Sequence, residues 1–141
     1  MANIDTNDYG TFIPHGGTWG NKSVLVQDIT LDAEAAIADV IRFAKMQANV
    51  RLLDAAVFTD TDVASGTIDF GYTSDSGDND DPDHFLAAEA IGTAGRFRAN
   101  TATPPVVVPE GFSLDLTVGG AAIPAGTVIT VVVEYEFIGH D

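Results

Sequence analysis

The densest set of side chains able to do chemistry lies between Ser74 and Asp83, where Asp75, Asp78, Asp80, Asp81 and Asp83 crowd together around Asn79. Closely spaced hard oxygens of this kind are what calcium takes as ligands, so Asp75, Asp78, Asp80 and Asp81 are the candidate metal-binding set. The EF-hand register that would begin at Asp78 fails, because Pro82 and Asp83 occupy its fifth and sixth positions and no glycine is left for the sharp turn. The competing reading is a solvated loop of mutually repelling aspartates, with Asp81 capping the element that follows. Calcium is the one cofactor this pattern leaves open.

Catalytic groupings are absent from the sequence. His15, His84 and His140 sit in no recognisable frame, and each is read as solvent-exposed. No nucleophile elbow surrounds Ser23, Ser65, Ser74, Ser76 or Ser113, and neither a phosphate loop nor a two-histidine zinc motif occurs. With no cysteine, disulfides, thiolate metal sites and cysteine nucleophiles drop out. A glycosidase-type carboxylate pair could be drawn from 21 acidic residues in many ways, which makes any single choice arbitrary. The chain reads as a non-enzyme.

Two other groupings suit partners. Phe12, Ile13 and Trp19 stand among polar and glycine-rich neighbours in residues 1–22, an irregular arm whose aromatics need an apolar surface on this chain or on another subunit. Arg96 and Arg98, flanking Phe97, are the local basic excess of the second half, there either to pair with nearby aspartates or to meet an acidic partner. The formal net charge is −15, sixteen of the 21 acids are aspartate, and residues 99–141 hold no lysine or arginine. That field has the wrong sign for nucleic acid or an anionic membrane, so neither is expected as a partner. It suits an outward-facing coat.

A chain of 141 residues that is 45% hydrophobic has material for one domain, placed at residues 23–141 behind the arm. The opening Met1-Ala2-Asn3-Ile4-Asp5 shows no export signal, and no run of about eighteen apolar residues occurs. Ser23 to Thr30 reads as a strand, with Val24 and Val26 on one side and Leu25 on the other. Ala33 to Ala48 fits a helix or a strand. The β-branched and aromatic residues at its centre favour the strand, with Ile41 and Phe43 on one face and Arg42 on the other, continuing into a further strand from Asn49 to Phe58.

Ile68, Phe70 and Tyr72 share one face of a strand at Thr67–Tyr72. Asp81-Pro82 is expected to open a short helix carrying Phe85, Leu86 and Ala90 and ended by Gly92. Val106–Val108, bounded by prolines, reads as a short edge strand, and Phe112–Val118 as a strand with one buried and one wet face before a turn at Gly119-Gly120. The run Thr127–Ile138 places Ile129, Val131, Val133, Tyr135 and Phe137 on one face, as in a central strand. Together these predict an all-β protein, an antiparallel β-sandwich with one short helix and an N-terminal arm.

The segments Asp39-Val40-Ile41-Arg42-Phe43-Ala44-Lys45, Val50-Arg51-Leu52-Leu53-Asp54-Ala55, Thr67-Ile68-Asp69-Phe70-Gly71-Tyr72, Asp81-Pro82-Asp83-His84-Phe85-Leu86, Gly126-Thr127-Val128 and Val131-Val132-Val133-Glu134-Tyr135 resemble, in order and spacing, the small capsid decoration (cement) proteins of bacteriophages. The resemblance runs from about Val24 to Ile138. It departs after Lys45, where such sequences often carry a proline and this chain has Met46-Gln47. It implies a jelly-roll-like protomer that assembles with itself, commonly as a trimer, on the outer surface of a viral head and ties neighbouring major capsid proteins together. On that expectation Phe12, Ile13, Trp19, Arg96 and Arg98 are partner-binding residues. A rival from another class is a carbohydrate-binding or adhesion module of a phage fibre, with calcium in the acidic loop and Tyr72 or Trp19 as a sugar-stacking platform.

Overall fold

A computed structural model of the protein describes residues 2–5 and 22–138. The arm residues Phe12, Ile13 and Trp19, and likewise His15 and His140, lie outside the described residues. Ten strands are present among those described: β1 (Asn3–Asp5), β2 (Lys22–Thr30), β3 (Val40–Met46), β4 (Val50–Thr59), β5 (Thr67–Ser74), β6 (Asp81–Ala90), β7 (Gly95–Arg98), β8 (Val106–Val108), β9 (Phe112–Gly119) and β10 (Val128–Phe137). They form two sheets. One runs β1-β3-β9-β5-β6, and the other β2-β10-β4-β7 with β8 also on β4. Every pairing is antiparallel except β1 on β3.

The inner faces follow the period-two pattern. Ile129, Val131, Val133 and Tyr135 of β10 are fully buried, facing Phe43 and Ile41 of β3, Phe70 and Ile68 of β5, and Leu114 and Leu116 of β9 in one core. Each such side chain stabilises the fold by about 1.5–3 kcal/mol. Aromatic edges organise the middle of this core, with Phe43 edge-on to Phe70 at 6.3 Å and Phe70 stacked on Phe85 at 5.9 Å. A bulge in β3 lets Arg42 and Ala44 oppose consecutive residues of β9, so that both Phe43 and Ala44 are buried. At the far edge β1 is held by a two-point ion pair, with Arg42 Nε and Nη2 donating to Asp5 at 2.6 and 2.8 Å.

Ala33–Ala48 resolves into irregular chain followed by the strand β3, and Asn49 turns the chain towards β4 at φ 62°. The helix expected after Asp81-Pro82 is instead β6, an edge strand with a broken register against β5. Two features explain it. The next helical turn would offer Phe85 and Leu86 only the small side chains of Ala88 and Ala90, and Ala88 takes φ 48°, which no right-handed α-helix accepts. Pro82 is tolerated because the strand is peripheral and bulged. The wet face expected for β9 is also absent, since Ser113 and Asp115 on its outward side are as buried as Leu114 and Leu116.

Candidate interaction surface

The outward face of the β2-β10-β4-β7 sheet collects side chains from four strands at one level. Register places Val26, Val132, Ala56 and Arg98 in one row across the sheet. Asp28, Thr130, Phe58 and Arg96 make the adjacent row, and Val24, Glu134 and Asp54 the row on the other side. Val24 and Val26 are 53% and 60% exposed, an uncommon placement for side chains that β2 had the option of turning inward. Leu25 and Gln27 take the inward positions. Sequence periodicity found this strand and its alternation, with Val24 and Val26 opposite Leu25; the fold shows that the leucine side is the buried one.

Arg96 and Arg98 stand on this face because β7 alternates and buries only Phe97 towards the core. The Arg96 guanidinium lies 5.5 Å from the centroid of the Phe58 ring, a cation–π contact that orders it without neutralising it. The other four cations are spent. Lys22 reaches Glu134 at 3.2 Å, Arg42 holds Asp5, Lys45 holds Asp75 and Arg51 holds Glu136. Among the described residues, Arg96 and Arg98 are therefore the cations left without an ion pair on a chain of net charge −15. Between them and β10 lies a dent of about 50 Å³ lined by Asp54, Ala55, Ala56, Arg96, Arg98, Val132 and Glu134.

The aspartates between Ser74 and Asp83 do not converge. Asp75 pairs with Lys45, Asp80 accepts from the Ser74 backbone N at 2.7 Å and its hydroxyl at 3.0 Å, and Asp81 Oδ2 meets His84 Nδ1 at 2.9 Å. Asp78 offers its backbone N to Ser76 Oγ. Among the described residues no group of three or more acidic or histidine side chains is arranged to hold a metal. Glu110, which the sequence reading passed over, anchors this loop by accepting from Ser76 Oγ at 2.6 Å and Asn79 Nδ2 at 3.2 Å. The hydroxyls of Ser76 and Ser74 and the Asn79 amide pull its pKa down to about 2. Nothing in its sequence neighbourhood, Pro109-Glu110-Gly111, signals that role.

His84 is 4% exposed, a correction to its expected exposure. Its ring packs on Phe85 at 4.8 Å and Tyr72 at 5.5 Å. Tyr72 is itself 5% exposed and sits edge-on to Phe112, so it offers no platform to a sugar. Burial, followed by the charges of Asp81 and Asp80, raises the Tyr72 hydroxyl above its usual range. A cleft of about 380 Å³ lies beside β1 and β2 and is lined by Ile4, Asp5, Asp28, Ile29, Thr30, Leu31, Asp32 and Ala33. Its polar side chains are the carboxylates Asp5, Asp28 and Asp32 and the Thr30 hydroxyl, and Asp5 is already paired with Arg42.

No protein-family model matches this sequence, and no curated protein matches it closely. Solved structures do. A chain in the capsid of Ralstonia phage GP4 superposes with a TM-score of 0.78 at 22% identity, covering 99% of each chain. The fold is one found in phage capsids. A chain of the cyanophage Pam1 capsid asymmetric unit matches with a TM-score of 0.64 at 19% identity over 89% of this chain and 91% of that one. One from the acid-stable capsid of Helicobacter pylori bacteriophage KHP30 gives 0.55 at 10% identity over 84% and 94%. In each case nearly the whole of both chains is shared, so the likeness is of an entire domain and not of a common sandwich fragment.

Proposed function

We propose that this chain is a structural, non-catalytic protein of a bacteriophage virion, a decoration or cement protein on the outer surface of the head that ties neighbouring major capsid proteins together. The observation that carries this reading is the two-way, 99% superposition on a chain of the Ralstonia phage GP4 capsid. The charge of −15 supports an exterior position, because it keeps particles soluble and mutually repelling. Assembly of the chain with itself, as a trimer, would multiply modest contacts into high avidity over a repeating shell. No cofactor is required.

Light scattering on the purified protein, followed by co-sedimentation with undecorated heads of the phage that encodes it, tests the proposal. The expected result is a trimer that pellets with heads and saturates, and a variant lacking residues 1–20 that no longer does. A monomer that stays in the supernatant with heads present would reject the role.

A further inference from the structure

We infer that the outward face of the β2-β10-β4-β7 sheet is the surface that docks on the head, and that it receives an acidic segment of the shell protein. The inference rests on the head-protein reading above and adds to it the face and the chemistry of its partner. Two independent features coincide there. Val24 and Val26 are exposed beside Val132, an apolar strip that water does not favour. Three strand intervals away, about 14 Å at the usual spacing, Arg96 and Arg98 project from β7 with no ion pair among the described residues.

The occupant that satisfies both carries an apolar side chain over the valines and a carboxylate at the arginines. Phe58 holds Arg96 in place beforehand, which lowers the ordering cost of binding. Asp54 and Glu134 border the same dent but are engaged, Asp54 by the Ala55 backbone N and Glu134 by Lys22. A second copy of this chain is the weaker fit. Its densest acidic segment has already committed Asp75, Asp80 and Asp81 to internal partners, which leaves it little free carboxylate to offer the arginines.

The test is co-sedimentation of the full chain with undecorated heads for wild type, R96E/R98E, R96K/R98K and V26D, each first shown by circular dichroism and thermal melting to be folded. All three substituted positions lie on an exposed face, so folding should survive. Charge reversal is expected to weaken binding about ten-fold or more, V26D to weaken it as well, and the lysine pair to retain most of it. Added salt should weaken wild type and narrow its lead over R96E/R98E. Wild type that binds heads while R96E/R98E and V26D bind equally well would overturn the face assignment and leave the head-protein role standing. Wild type that ignores heads would instead remove that role. If the variants change the oligomeric mass in light scattering, the face joins copies of this chain and the shell-protein partner is wrong.

Discussion

Gly71 lies against the main chain of Asp81 so closely that no side chain fits between them. A Cβ on Gly71 would stand 2.6 Å from the carbonyl carbon of Pro82 and 2.7 Å from the His84 nitrogen, and nearer still to the Asp81 carbonyl oxygen. The register explains the crowding: Phe70 pairs with Leu86 and Tyr72 with Asp81, so the intervening residues of β6 arch over the glycine. G71A is therefore expected to destabilise the fold by about 1–3 kcal/mol, since the methyl meets backbone that has nowhere to go. G92A, where a Cβ meets nothing within 4 Å, is the control. Urea unfolding of the two variants checks the contrast, and equal midpoints would refute it.

The same arch marks where sequence reasoning reached its limit. The patterns of Thr67–Tyr72 and Thr127–Ile138 gave β5 and β10 because one face of each strand is uniformly apolar. In β6 the bulges make His84, Phe85 and Leu86 buried in succession, which breaks period two and mimics the start of a helix behind Asp81-Pro82. Asp115 hid in plain alternation, because periodicity cannot say that the polar residues of β9 are buried as well as the apolar ones. The candidate surface was half legible. Arg96 and Arg98 stood out as a local basic excess, whereas their alignment with Phe58, Val132 and Val26 depends on strand order across the sheet, which only the fold reveals. Phe12, Ile13 and Trp19, the other expected contacts, fall outside the described residues.

Asp115 is 4% exposed in the middle of β9, with its Oδ1 shielded from solvent and without a hydrogen-bond partner. Burial raises its pKa above the ordinary carboxylate value, and the Thr73 and Ser113 hydroxyls and the Arg42 charge only partly oppose this. A carboxyl whose pKa is higher folded than unfolded binds its proton preferentially in the native state. Its contribution therefore opposes folding at neutral pH and fades as pH falls through the folded value. D115N should raise the melting temperature at pH 7, with the gain over wild type shrinking as the pH is lowered. Melts across that range check it, and a D115N variant less stable than wild type at pH 7 would show that the carboxylate is needed in its charged form.

Glu110 has the opposite sign. Its pKa lies near 2 because the charged form receives hydrogen bonds from Ser76, Ser74 and Asn79, so it stabilises the fold above its unfolded value of 4.5 and loses that contribution as pH falls towards 2. Asp39 and Asp60 act in the same direction, held low by the backbone N–H groups of Ala2 and Ala36 and of Val128. E110Q should melt lower than wild type at pH 7 and converge with it near pH 2. Parallel melting curves with no convergence on the acid side would contradict the linkage.

Calcium is expected to leave the protein unchanged, for a geometric reason. A cation that binds only the native state must raise its stability by mass action, and hard-cation sites need six to eight oxygens around one point. Here Asp75 is drawn towards Lys45, Asp80 towards Ser74 and Asp81 towards His84, which points three neighbouring carboxylates at three separate partners. Gathering them would require breaking the ion pair to Lys45 and uncapping the Ser74 nitrogen while concentrating negative charge. Titration with calcium and then with a chelator should therefore leave the melting temperature within error of the untreated protein. A saturable upward shift that is reversed by chelator and abolished in D75N/D80N would show that the loop rearranges around a metal.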